Sequence, residues 1–444
     1  LDLTQILPAL GGTAWTLIFF VIALSVIVAI HEYGHYIVGR WSGIHAEVFS
    51  LGFGPVVYAW TDKHGTVWQI ASLPFGGYVK FLGDANAASV GSDGSVSDAD
   101  MRRTMTGAPL WARAATVAAG PIFNFILAIA IFAGYLMWQG TDRTPLTYGS
   151  APDLPAIYQS ELQRGDEIMA IGGIPMNDDD VSTGTTDDIP VSPTVDYDIV
   201  RDGVAMTVTG PFPILPLVSG VAPRSAADDA GIRIGDFIMA ADGEPIVAFR
   251  DIVAAKDAAG ENPLELTVLR NGETLTLSMA ARRVDLPLPS GGFEQRYLIG
   301  INGGLFFEAE RDSVGLWTAL KAGTQQLWNR ITVSLSGLWQ LLIGGISSCN
   351  LSGPVAIAQT SGSLAQQGAG SFVLFIGILS AAVGLLNLMP IPVLDGGHLV
   401  FHAYEAVTRR KPSEFALRVL MSMGVAIIGS LMVFALLNDL FLCP

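Results

Sequence analysis

Charge is absent from the beginning of this chain over a length that leaves few folds open to it. Between Asp2 and His31 there is no Asp, Glu, Lys or Arg, and Ala14 to Ile30 reads AWTLIFFVIALSVIVAI. A helix rising ~1.5 Å per residue over that run nearly crosses the ~30 Å hydrocarbon core of a bilayer. A cleaved signal peptide needs a basic start and a small-residue cleavage site. Here the apolar run flows directly into His31-Glu32-Tyr33-Gly34-His35. Ala114 to Trp138 and Val419 to Asn438 qualify as spans by the same argument, and so does Phe372 to Leu388, the most apolar part of an uncharged stretch from Ile331 to Leu394. Four spans put both termini on one side. Half of the 444 residues are hydrophobic and 14% are charged, which excludes an ordinary soluble enzyme and a disordered chain.

The remaining charge gives an orientation, because short cytoplasmic loops retain Lys and Arg. Arg40, Lys63, Lys80, Arg102, Arg103 and Arg113 follow the first span, and Arg409, Arg410 and Lys411 follow the third. Both loops read as cytoplasmic, so the termini and the region from about Gly140 to Arg330 lie outside. That region holds 28 acidic and 14 basic residues, most of the formal charge of −16. No basic footprint exists for nucleic acid. The two cysteines, Cys349 and Cys443, cannot make a disulfide framework or a cysteine-based zinc site. Their spacing does not decide whether they pair.

The external region repeats itself. Gly165 to Met176 reads GDEIMAIGGIPM and Gly235 to Ile246 reads GDFIMAADGEPI, each followed by alternating apolar residues that pivot on Asp202-Gly203 or Asn271-Gly272. Asp-Gly and Asn-Gly in that setting favour tight hairpins, so two copies of one small β-rich fold follow. The pattern resembles PDZ domains, and Ser225-Ala226-Ala227 with Gly231-Ile232 strengthens the likeness in the second copy. That resemblance implies a groove that takes up an extended chain by strand addition; the first copy lacks a comparable lead-in, and the other reading of both copies is as spacers or a steric size filter with no bound peptide.

His31 and His35 lie at i and i+4, so on a helix both imidazoles reach one Zn²⁺ while Glu32 approaches its water. Ionisable side chains inside a membrane helix are expensive and are kept for pairing or function. Catalytic zinc commonly takes three protein ligands. Asp395, in the run Asn387-Leu-Met-Pro390-Ile-Pro392-Val-Leu-Asp395-Gly-Gly-His398, is the first acid within reach of the third span. The two prolines break or extend the chain there and free Asp395 to turn inward; a helix N-cap is the other reading of Asp395. His398 is the competing ligand, and His45, His64 and His402 read as solvated or interfacial. Gly120-Pro121-x-x-Asn124 permits close helix contact and interhelical hydrogen bonding in the second span.

Taken in order, HEYGH, Gly120-Pro121-x-x-Asn124, the paired external repeats and Asn387 to His398 resemble the bacterial site-2 protease family of intramembrane zinc metalloproteases, in its regulator of sigma-E branch. The resemblance implies that His31, His35 and Asp395 bind one Zn²⁺, that Glu32 is the catalytic base, and that Asn387, Pro390 and Pro392 help to hold and unwind the substrate. Trp68 to Lys80, WQIASLPFGGYVK, is similar to the family's membrane re-entrant β-loop, and its edge at Gly77, Tyr78, Val79 and Lys80 is expected to pair with substrate as an added strand. Expected substrates are single-span membrane proteins, such as an anti-sigma factor already trimmed outside, and remnant signal peptides. A metal carrier or membrane scaffold is the other functional class, and Glu32 discriminates, since a carrier has little need of a carboxylate there.

The expected fold is a polytopic α-helical membrane protein of four transmembrane helices, with a cytoplasmic re-entrant β-hairpin and two tandem PDZ domains in the periplasm, in the bacterial inner membrane. Its parts are a first span with HExxH (1–40), a cytoplasmic loop with the hairpin and a flexible linker over Asp84 to Gly107 (41–113), a second span (114–139) and two PDZ domains (140–215 and 216–285). There follow a connecting segment with a surface amphipathic helix within Ile331 to Gln367 (286–370), a third span with the Asn-Pro-Pro-Asp run (371–396), and a cytoplasmic loop leading into the fourth span (397–444).

Overall fold

A computed structural model describes residues 12–84, 100–152, 154–155, 158–176, 188–288 and 292–442. The chain divides into two compact units, one of Leu136–Leu316 and one of the residues on either side of it. Among the described residues, four helical segments are long and apolar enough to cross a membrane: Gly12–Trp41, Leu110–Gln139, Ala369–Leu388 and Glu414–Leu442. They fall on the four uncharged runs.

Helix α1 (Gly12–Trp41) carries the HEYGH motif in its last third. It leads into two long antiparallel strands, β1 (Ala46–Thr61) and β2 (Val67–Phe81). Gly52 and Gly54 in β1 and Gly76 in β2 adopt positive φ, conformations open to glycine at little cost, and each strand folds back at these points. Leu51 therefore pairs with both Gly77 and Ile70, while Tyr58 pairs with Ile70. Four short segments result in the order 77–81, 46–51, 67–70, 56–61, with Gly77 to Lys80 along one edge. Asp62, between the strands, accepts from Tyr36 Oη at 3.0 Å, Trp68 Nε1 at 3.1 Å, and the amides of His64 and Thr66 at 2.8 and 3.1 Å. Burial pushes the Asp62 carboxyl up, but these hydrogen bonds outweigh it and draw it down to about 2. Because Tyr36 follows His35 directly, the hairpin is tied to α1 beside the motif.

Most of the expected linker lies outside the described residues. Its end is held: Met101–Arg103 forms a 3₁₀ turn, and the His45 amide donates to Arg103 O at 2.9 Å. Helix α2 (Leu110–Gln139) then runs through Pro121.

In the second unit, the first copy of the repeat has β3 (Glu167–Ile171), β4 (Ile174–Pro175), β5 (Thr194–Arg201) and β6 (Val204–Pro211), in the sheet order β4-β3-β5-β6. The second has β7 (Phe237–Ala241), β8 (Glu244–Pro245), α3 (Phe249–Ala259), β9 (Pro263–Arg270) and β10 (Glu273–Ala280), with the strands in the order β8-β7-β9-β10. The same irregularity recurs between Ile168 and Ala170 and between Ile238 and Ala240. Asp202-Gly203 and Asn271-Gly272 both have positive φ at each residue, the conformation of type I′ hairpins. The Asp of each Gly-Asp pair is buried under an arginine from the hairpin: Arg201 forks onto Asp166 at 2.7 and 2.7 Å, and Arg270 onto Asp236 at 2.7 and 2.6 Å. The stretch matching α3 in the first copy, 177–187, lies outside the described residues.

After the second unit come α4 (Leu316–Leu342), α5 (Pro354–Gln367), α6 (Ala369–Leu388), α7 (Asp395–Thr408) and α8 (Glu414–Leu437). The expected single amphipathic helix is thus two helices, and the first starts well before Ile331. Its buried residues, Ala319, Gly323 and Leu327, recur every four positions; a Cβ on Gly323 would lie 2.9 Å from the Ile129 carbonyl of α2. The small residues let α4 seat on α2. Beyond α8, the Asp439 carboxylate accepts from the amides of Gly353 and Ala356, both at 3.0 Å, and so caps α5 from a distant part of the chain. Cys349, in the turn before α5, is disulfide-bonded; the other cysteine of the sequence, Cys443, lies outside the described residues.

Candidate active site

Two imidazoles and one carboxylate meet at a single point. His31 Nε2 and His35 Nε2 are 3.2 Å apart, and Asp395 Oδ2 stands 3.2 Å from the first and 3.5 Å from the second. The side chains are only 12%, 13% and 18% exposed. A tetrahedral zinc with bonds of ~2.0–2.1 Å sets its ligand atoms ~3.3–3.4 Å apart, so the three donors have the spacing of one face of that tetrahedron. Asp395 Oδ2 is also buried without a hydrogen-bond partner, a costly state for a carboxylate oxygen unless a cation faces it. Among the described residues this is the one His, Cys, Asp and Glu group able to hold a metal ion. The donor set fits zinc.

Each donor is placed by local chain chemistry. The histidines share a face of α1 through their i, i+4 spacing, with ring centroids 4.8 Å apart and nearly perpendicular. They lie against Gly120 of α2, where a Cβ would come within 2.8 Å of His31 Cε1 and 2.6 Å of His35 Cε1. Asp395 arrives because α6 stops at Leu388 and helix resumes only at Asp395. Pro390 and Pro392 stand in the break, where missing amide donors and restricted predecessors bar a helix. Gly396 and Gly397 are buried against the carbonyls of Leu388, Met389 and Ile391 with no room for a Cβ, which lets the new helix begin tightly under the old one. Asp395 opens the helix and turns to the histidines, and the N-cap position falls to Leu394.

Glu32 faces the hairpin. The backbone of Val79 lies beside its carboxylate, and a Cβ on Gly77 would lie 3.2 Å from Glu32 Cγ and 2.8 Å from Ser50 O. Tyr78 Oη accepts from Gln69 Nε2 at 3.1 Å, and Lys80 pairs with Glu47 at 2.8 Å. The edge singled out in the sequence therefore runs past the acid of the motif. Asn387 is half-buried one residue before α6 ends, and Pro390 is exposed. His402 donates from Nδ1 to the His398 carbonyl at 2.7 Å, a helix contact distinct from the metal group.

Sequence reasoning missed the partners behind the histidines. His35 Nδ1 is 2.8 Å from Thr116 O, and His31 Nδ1 is 3.2 Å from the Asn124 side-chain amide. With Gly120, these form a stripe on α2 at intervals of four. Only Gly120 and Asn124 carried a sequence signal, and it read as helix packing.

The profile of peptidase family M50 matches residues 19–431. The chain is 36% identical to a Rhizobium meliloti protein described as "Putative zinc metalloprotease", over 97% of this chain and 98% of that one. An Agrobacterium fabrum protein with the same description is 34% identical over 99% of both. The regulator of sigma-E protease RseP of Salmonella typhimurium is 31% identical, over 96% of this chain and 98% of its own length. The chain belongs to peptidase family M50, the site-2 proteases, and is a zinc metalloprotease of that type.

Proposed function

We propose that the enzyme cuts single-span membrane proteins within the bilayer, with one Zn²⁺ held by His31, His35 and Asp395 and with Glu32 as catalytic base. The observation that carries this reading is the three-donor face beside a glutamate that packs against a strand edge. Bound there, zinc lowers the pKa of water to about 7 and polarises the scissile carbonyl. Glu32 takes the proton from the attacking water and passes it to the leaving amine. A substrate helix hides its carbonyls, so it must be drawn out and its amides satisfied away from water. The edge from Gly77 to Lys80 offers backbone partners by strand addition. Asn387 offers a side-chain amide to freed backbone groups, and Pro390 and Pro392 keep the facing chain extended.

The substrate class follows the RseP relative: an anti-sigma factor already shortened on its outer side, and remnant signal peptides. The two β-rich copies act as tandem PDZ domains in the periplasm and as a size filter that admits trimmed substrates. The hairpin re-enters the inner membrane from the cytoplasm; its exposed Phe53, Val57, Tyr58, Trp60 and Leu73 support that placement. The exposed Trp317, Trp328 and Trp339 of α4 suit the outer lipid interface. The disulfide at Cys349 supports an outer position for the turn before α5, because such bonds persist in oxidising compartments.

Glu32→Gln in the full chain tests the mechanism. The variant should keep its zinc and lose cleavage of a reconstituted single-span substrate. Wild-type turnover in that variant would remove Glu32 from the chemistry.

A further inference from the structure

Behind the two imidazoles the hydrogen-bond partners differ in kind. His35 Nδ1 lies 2.8 Å from a backbone carbonyl, Thr116 O. A carbonyl only accepts, so His35 carries its hydrogen on Nδ1 and turns the Nε2 lone pair to the other donors. His31 Nδ1 instead meets a nitrogen, Asn124 Nδ2, at 3.2 Å. A neutral His31 that gives its Nε2 lone pair to a cation has its hydrogen on Nδ1, so two N–H groups would face each other. On the other arm of the same amide, Asn124 Oδ1 is buried with no partner, and the residue as a whole has no exposed surface.

Amide oxygen and nitrogen are nearly indistinguishable in shape, and their assignment follows from the hydrogen-bond network. A half-turn of the Asn124 amide moves no other heavy atom, relieves the N–H clash and satisfies Oδ1, with Nδ2 taking the position where Oδ1 has no partner. We infer that Asn124 accepts the His31 Nδ1–H through Oδ1 and thereby fixes the tautomer and aim of the first metal ligand, as the Thr116 carbonyl does for His35. Asn124 is a positioning residue. It is held in turn from the third span, since Ser380 Oγ donates to the Asn124 carbonyl at 2.9 Å. This rests on the reading that His31, His35 and Asp395 hold zinc.

The test measures zinc affinity of the full-length protein in nanodiscs, by competition with a chromophoric chelator. The proteins are wild type, His31→Ala, Asn124→Leu and Asn124→Asp. Removing an outer-layer partner costs ~10–100-fold in metal affinity, so Asn124→Leu should bind zinc that much more weakly. Asn124→Asp, which only accepts, should stay within about threefold of wild type or bind more tightly. Should the leucine variant not fold, Asn124→Ala removes the acceptor without bulk and is read instead. Wild-type affinity in the leucine or alanine variant would overturn the inference. So would an aspartate variant as weak as the leucine one, because Nδ2 donation would then be what matters. If wild type binds no zinc that His31→Ala removes, the metal assignment itself fails. Zinc bound normally by wild type, with Asn124 immaterial, sinks this inference alone.

Discussion

One methyl group added to Gly120 should disable the metal centre, while the same addition at Gly134 of the same helix should not. Glycine to alanine in a helix interior ordinarily stabilises by ~1 kcal/mol, and a Cβ on Gly134 meets nothing within 4 Å. At Gly120 the new Cβ falls 2.6 Å from His35 Cε1 and 2.8 Å from His31 Cε1, whereas ordinary contact begins at 3.4 Å. His35 Nε2, a metal donor itself, lies nearer still, so the rings must retreat by about 0.6–1 Å, away from the point they share with Asp395. Misplacement by ~1 Å costs about 10²-fold in rate. We expect Gly120→Ala to cleave a reconstituted single-span substrate at about one hundredth of the wild-type rate, with zinc affinity lowered at least tenfold. Gly134→Ala should match wild type in both assays. The reasoning is refuted if Gly120→Ala turns over substrate and retains zinc like wild type.

Val79→Pro removes an amide from the hairpin edge beside Glu32, so cleavage should fall at least about tenfold while zinc content holds; unchanged turnover would count against strand addition. Asp166→Ala removes the acceptor of the Arg201 fork and of the Gln163 amide and should lower the stability of the unit Leu136–Leu316 by ~1–3 kcal/mol, as read by urea unfolding of the full chain. Burial raises the Asp166 carboxyl, but the Arg201 fork and the Gln163 amide outweigh it and leave it lowered. That contribution is therefore full above the ordinary carboxylate value of ~3.9 and is lost as pH falls through the lower folded-state value, so acid should narrow the gap between wild type and Asp166→Ala. Asp439→Ala leaves the amides of Gly353 and Ala356 without their acceptor and should cost ~1–2 kcal/mol in thermal unfolding. Cys349 should resist alkylation in unfolded protein from the membrane until a reductant is added; immediate labelling would contradict an external position.

The parts of this fold that were legible in the sequence are those fixed by short-range rules. Missing charge marked the four long apolar helices, the i, i+4 histidines marked the face of α1 that meets Asp395, and Asp202-Gly203 and Asn271-Gly272 marked the two hairpins because only such pairs adopt positive φ cheaply. Pro390 and Pro392 announced the break that delivers Asp395. What stayed hidden depends on distant segments meeting. Nothing local to Asn124 reveals that its amide lies behind His31, and Gly120 reads the same whether it admits a helix or two imidazoles. The early start of α4 follows from the seat that α2 offers to Ala319 and Gly323. The double folding of β1 and β2 turns on where Gly52, Gly54 and Gly76 bend two long strands, which composition does not specify.

The central claim is that side chains from the first and third spans share one zinc. X-ray absorption at the zinc edge reads this directly on wild type and Asp395→Ala. The account predicts two imidazole nitrogens and carboxylate or water oxygens at ~2.0–2.1 Å in wild type, with an altered spectrum and weakened binding in the variant. A zinc environment that is the same with and without the Asp395 carboxylate would contradict it.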